Sequence, residues 1–187
     1  MTMESVPLGA IVYEPHESCA LDGLLRGVAH VLKRSGCRLA GAVQHNTERA
    51  ARCRCDMALE DLASGRIIEI SEDRGSEARG CRLDHRSLED IVGLSGSAVA
   101  RGVDLLVINK FGKREVAGHG FMPLIHEALD LGTPVLLAVS TPNLAAWDTF
   151  AAGLDHRLPP ALSAVLHWAT AHTDACRRSP SSAASRG

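Results

Sequence analysis

Lysine is nearly missing from this chain: Lys33, Lys110 and Lys113 stand against seventeen arginines in 187 residues. A GC-rich genome explains the bias, but two of the three lysines fall in one short stretch, residues 109–120. Charge of one sign is lacking as well. A formal net charge of −2 offers no basic excess to hold nucleic acid and no acidic excess either. No apolar run approaches the roughly 18–20 residues of a membrane span. The opening Met-Thr-Met-Glu-Ser-Val-Pro has no basic segment of the kind that precedes a secretory leader. These absences predict a cytoplasmic protein with no membrane or nucleic-acid partner. Neither the phosphate-cradling G-x-x-x-x-G-K-[ST] nor a hydrolase G-x-S-x-G is present. Six cysteines in such a chain are expected to be reduced thiols or metal ligands rather than a disulfide framework.

With 45% hydrophobic and 22% charged residues, the chain can build one α/β domain with a proper core, over 8–172. The serine- and arginine-rich tail, 173–187, is expected to be disordered. Continuous apolar runs at 9–13, 39–43, 103–108 and 135–139 predict buried parallel strands. Apolar residues at helical spacing from Leu21 to Leu32, and again over 121–131, predict helices between them. The alternation of 56–62 and 66–71 around Ala63-Ser64-Gly65 reads as a β-hairpin. A short strand is expected at 80–83. Asp84 is placed to cap a helix over 85–101, Asn143 one over 144–152, and a last helix runs from Pro160 to about His172. Strand, helix and strand in alternation give a three-layer, mostly parallel sheet with a hairpin insertion, and ligands in such sheets sit at the carboxyl ends of the strands.

The stretch following the strand at 103–108, Asn109-Lys-Phe-Gly-Lys-Arg-Glu-Val-Ala-Gly-His-Gly120, therefore carries the strongest functional signal. Lys110 and Lys113 supply positive charge, Gly112, Gly118 and Gly120 allow backbone N–H groups to face a ligand, and the helix beyond contributes its positive end. The combination predicts an oxyanion site, with Asn109 beside it. Arg79 and Arg82 are expected to reach it from the hairpin side, and His45 and Asn46 from the end of the second strand. Cys53, Cys55 and Cys81 lie near Asp56, Asp84 and His85, but C-x-C is not the paired C-x-x-C of a structural zinc site, and an arginine-lined anion pocket suits that region better. Glu14-Pro-His-Glu-Ser-Cys-Ala-Leu-Asp22 stands where a P-loop would stand, yet it has neither glycine nor lysine and carries three acids.

The runs Leu39-Ala-Gly-Ala-Val-Gln44, Cys55-Asp-Met-Ala-Leu-Glu-Asp-Leu62, Ala78-Arg-Gly-Cys-Arg-Leu-Asp84, Asp104-Leu-Leu-Val-Ile-Asn-Lys-Phe-Gly-Lys113 and Trp147-Asp-Thr-Phe150 resemble an uncharacterised bacterial family, domain of unknown function 2478. The resemblance implies a fold like that of P-loop nucleoside-triphosphatases with a degenerate P-loop, and a link to molybdenum genes. Joined to the residue reading, it implies a non-hydrolytic accessory or storage protein, leaning away from an enzyme, that binds molybdate, tungstate or a phosphate-like oxyanion. The competing expectation is a phosphatase or kinase that holds a nucleotide with Mg²⁺, the metal resting on Asp104 or Glu115. A homo-oligomer assembled through the hairpin, or a pure interaction protein, is the remaining expectation.

Overall fold

The computed structural model describes residues 7–48, 55–70 and 84–173, the side chains of 47, 48, 55 and 56 excepted. Three strands, β1 (Leu8–Tyr13), β5 (Leu105–Phe111) and β6 (Val135–Ser140), are almost wholly buried along their length. Strands covered on both faces need such runs, because neither side chain direction reaches water. β2 (Leu39–Glu48), β3 (Cys55–Asp61), β4 (Ile67–Glu69) and β7 (Asp155–Leu158) complete a seven-stranded sheet in the order β4-β3-β2-β5-β6-β1-β7. β2, β5, β6, β1 and β7 run parallel, and β3 and β4 extend one edge as an antiparallel hairpin.

Helices cover both faces. α1 (Ser18–Arg34) and α6 (Leu162–His172) pack through Leu21, Leu25, Val28, Leu32, Val165 and Trp168 on one core. α2 (His85–Ala100), α4 (Met122–Asp130) and α5 (Leu144–Ala151) pack through Leu88, Ile91, Leu124, Ile125 and Trp147 on the other. Asp84 caps α2 as its sequence position predicts, accepting the Arg86 N–H at 2.9 Å. Gly41, in the middle of β2, has φ +97°, and a Cβ there would run into the Val107 carbonyl of β5; only glycine lets these two strands approach so closely.

Four sequence expectations are corrected. The strand beginning near 103 starts at Leu105 and runs on through Asn109 and Lys110 to Phe111, so these polar residues belong to a strand end and not to a loop. Part of the expected loop forms a one-turn helix, α3 (Lys113–Val116). The Asn143 side chain caps nothing; it donates to the Phe111 carbonyl at 3.2 Å and to Ser140 Oγ at 3.1 Å, tying β5 to the 3₁₀ turn Thr141–Asn143. Cys37 is disulfide-bonded, against the expectation of reduced thiols. β7 has no counterpart in the sequence reading: it is a four-residue edge strand with a largely solvent-facing pattern, too short and too polar to announce itself. The strand expected at 80–83 lies outside the described residues.

Candidate functional site

The ladder between β2 and β5 ends at Ala42 opposite Ile108. Beyond that pair the strands diverge, and the Asn109 side chain takes the place of the missing ladder bond by accepting the Gln44 backbone N–H at 3.0 Å. A register shift between β5 and β6 from Ile108 to Phe111 turns Lys110 toward α1. The carboxyl ends of the parallel strands therefore open over a polar cluster whose centre is Asp22, in the second turn of α1.

Asp22 is 1% exposed, and a buried carboxylate needs full compensation. Asn109 Nδ2 donates to one of its oxygens at 2.8 Å and Asn46 Nδ2 to the other at 2.7 Å, while Lys110 Nζ lies 2.9 Å from Oδ1 and 3.2 Å from Oδ2. Lys110 also donates to Ser18 Oγ at 2.8 Å and, through a long contact of 3.4 Å, to Gln44 Oε1. Gln44 Nε2 closes the ring by donating to Asn46 Oδ1 at 2.7 Å. Tyr13, at the end of β1, borders the cluster: burial pushes its phenol above the ordinary value, the hydrogen bond with Ser140 works against that, and the Asp22 charge adds to the rise.

Glu115 of α3 is another buried carboxylate, 7% exposed. It accepts the backbone N–H of Gly112 and that of Phe121, each at 3.0 Å, so that residues 112–121 fold around it. Gly120 has φ +60°, and a Cβ there would strike Glu115 Oε1. Burial raises the Glu115 carboxyl above 4.5, against the pull of the amide bonds from Phe121 and Gly112 and of the Arg114 charge. Gly118, with φ +81°, allows the turn that follows α3, and its N–H donates to the Glu115 carbonyl.

Beside Glu115, at the carboxyl ends of β2 and β5, lies a cavity of about 240 Å³. Ala42, Leu59, Ile70, Leu88, Ile108 and Phe121 form its apolar floor, and Gln44, Asn109, Lys110, Gly112, Lys113, Arg114 and Glu115 its polar rim. Lys113 is exposed and makes no ion pair among the described residues. Arg114 is held by Glu89 at 2.9 Å and by His85.

Of the residues singled out in the sequence, the structure gathers Asn46, Asn109 and Lys110 around Asp22, and Gly112, Gly118 and Gly120 around Glu115, with Lys113 on the cavity rim. His45 is not among them: it points to the α1 face, where its Nε2 pairs with Glu60 at 2.9 Å, its Nδ1 lies 3.5 Å from Arg26, and Lys33 joins Glu60 at 3.2 Å. For Glu60 the effect of burial is outweighed by the hydrogen bonds and charges of His45 and Lys33, which hold the carboxyl below its ordinary value. Arg79, Arg82, Cys53 and Cys81 lie outside the described residues, as does the Cys55 side chain. No group of three or more metal-ligating side chains occurs among the described residues. Asp104 stands at the opposite edge, at the amino end of β5, where it accepts from the Arg38 backbone N–H at 2.7 Å and its guanidinium at 2.9 Å.

The sequence reading passed over Asp22, Ser18 and Gln44 as site members. A signal for Asp22 was available: it shares the apolar stripe of α1 with Leu25 and Ala29, and an acid on a core-facing stripe must be paired.

A family profile matches residues 8–168. The chain belongs to the family described as protein of unknown function (DUF2478). Over 147 residues it is 41% identical to a protein of Bradyrhizobium diazoefficiens named molybdenum import ATP-binding protein ModC 2, a match that covers 79% of this chain and 16% of the length of that relative. Among solved structures, THEP1 from the hyperthermophile Aquifex aeolicus superposes with a TM-score of 0.57 at 14% identity, over 81% of this chain and 87% of that one. The α/β fold, with its mostly parallel seven-stranded sheet, is P-loop-NTPase-like. No helix among the described residues is long and apolar enough to cross a membrane.

Proposed function

We propose that this protein binds a small anion at the carboxyl ends of β2 and β5 without hydrolysing it, and that the anion is a tetrahedral oxyanion, molybdate or tungstate, held for an accessory or storage role in molybdenum metabolism. The observation that carries the reading is the cavity of about 240 Å³ rimmed by Lys110, Lys113, Arg114 and Asn109. Its position is the one where open α/β sheets take their ligands. It is smaller than the roughly 300–1,000 Å³ of pockets that enclose drug-sized molecules, so an oxyanion suits it better than a nucleotide. The name of the Bradyrhizobium relative supplies the molybdenum link.

A nucleotide-binding phosphatase or kinase is the second reading, favoured by the P-loop-NTPase-like fold and by the words ATP-binding in that relative's name. Two observations weigh against it. The chain leaves β1 through Glu14 into the 3₁₀ turn Pro15–Glu17, which runs straight into α1; Glu17 accepts the Glu14 N–H at 2.8 Å, and no glycine-rich cradle intervenes. Asp104, one of the two acids that would have to hold Mg²⁺, sits at the far edge of the sheet and is engaged with Arg38.

Isothermal titration with molybdate, tungstate, sulfate and phosphate tests the reading. Saturable heat for the first two, weakened in Lys113→Ala, is expected. Absence of heat for all four at millimolar ligand would sink the oxyanion reading, and phosphate release from ATP that disappears in Lys110→Ala would favour the nucleotide.

A further inference from the structure

We infer that Asp22 sets the affinity of this site by sharing Lys110 with the ligand, a deepening that rests on the oxyanion reading above. An ammonium has three donors. Those of Lys110 go to Asp22, to Ser18 Oγ at 2.8 Å and to Gln44 Oε1 at 3.4 Å. The last is the longest and uses a neutral acceptor, and Gln44 and Lys110 both line the cavity. An anion entering from the cavity replaces Gln44 Oε1 as the third acceptor. Asp22 stays: it is 1% exposed and is fastened by Asn46 and Asn109 at 2.7 and 2.8 Å from two different strands.

The consequence is electrostatic. With Asp22 in place, an incoming anion meets a neutral Lys110–Asp22 pair and gains one hydrogen bond rather than the full attraction of an ammonium. Asp22 is thus a positioning residue: it aims Lys110 and at the same time holds its charge in check, which keeps binding weak and release easy. Removing the Asp22 charge while keeping its shape unmasks Lys110, and the gain in affinity must scale with the charge of the ligand. Loss of a merely structural contact would shift all ligands together.

Molybdate and perrhenate, tetrahedral oxyanions of like shape carrying two charges and one, separate these cases. They are titrated into the full chain as wild type, Asp22→Asn, Asp22→Ser and Asp22→Asn/Lys110→Met, each checked for folding by thermal melting. The Asp22→Asn substitution is expected to tighten molybdate at least about tenfold and perrhenate by roughly the square root of that factor, and Lys110→Met is expected to erase both gains. Asp22→Ser provides the same test should the asparagine variant fail to fold. Equal changes for the two anions, no change, or a gain that survives Lys110→Met would overturn the inference while leaving wild-type molybdate binding intact. Binding that appears only in the Asp22 variants would support the role of Asp22 and overturn the oxyanion reading of the wild-type protein, and silence from every variant would end both.

Discussion

Asp22 and Glu115 are two nearly buried carboxylates near the carboxyl end of β5, and they are satisfied in opposite ways. Asp22 is compensated by side chains from β2 and β5, including the ammonium of Lys110. Glu115 is compensated by two backbone amides of its own loop, Gly112 and Phe121, with Arg114 as the cation that acts on it. The first arrangement ties distant parts of the chain together and depends on one lysine. The second is a local staple that holds residues 112–121 in shape and leaves its carboxyl with a raised affinity for a proton. A site lined by Lys110 and by Glu115 has its charge set by tertiary contacts through the first and by loop conformation through the second.

Breaking the cation on the Asp22 side should have the largest effect. Lys110→Met leaves Asp22 buried without its charge partner and is expected to cost about 3 kcal/mol in urea unfolding, the low end for a buried pair because the Lys110 side chain keeps 23% of its surface exposed. Next comes the staple. Glu115→Ala strands two amides and should lose about 2 kcal/mol, and Gly120→Ala, which forces a side chain into φ +60° against Glu115, a similar amount; if either unfolded at wild-type denaturant concentration the staple would be no more than decoration.

The pH dependence sharpens the contrast further. A carboxyl whose folded pKa lies above its unfolded value contributes stability that is fully present below the unfolded pKa and is lost as pH rises through the folded one. Glu115, raised by burial above 4.5, should therefore make the wild type lose stability as pH climbs from 4.5, and Glu115→Gln should flatten that limb. Glu60, held low by His45 and Lys33, works in the other direction, its contribution disappearing as pH falls through its folded value; Glu60→Gln should flatten the acid limb in urea titrations below pH 4.5. The smallest effect is expected for Arg114→Met, whose pair with Glu89 is largely exposed on the Glu89 side: below about 1 kcal/mol. A loss as large as that of Lys110→Met would show that Glu115 depends on a cation after all and would erase the distinction.

Much of the fold was legible because its strands are buried on both faces. Runs such as Leu105–Ile108 and Val135–Val139 leave little choice of element, and the stripe Leu21, Leu25, Val28 and Leu32 fixes the face that α1 buries. The site was legible only in part. Asn109, Lys110 and Lys113 stood out by residue type, yet nothing along the chain places Lys110 beside Asp22, 88 positions earlier. Gly112 and Gly120 were recognised as residues that free backbone amides; the group that occupies the amides of Gly112 and Phe121 is a neighbour, Glu115, which a one-turn helix turns inward. His45 was read with Asn46, but the two end in different clusters along α1, His45 with Glu60 and Arg26 and Asn46 with Asp22 one turn earlier.

The sequence by itself determined the alternation of strands and helices, the hairpin, the α2 cap at Asp84 and the concentration of lysine near the end of β5, because each is written in local periodicity or residue type. Only the tertiary structure decided what those lysines face. The divergence of β2 and β5 past Ala42 and Ile108, and the shift of register that swings Lys110 toward α1, are properties of the assembled sheet, and they convert an apparently free cation into one half of a nearly buried pair.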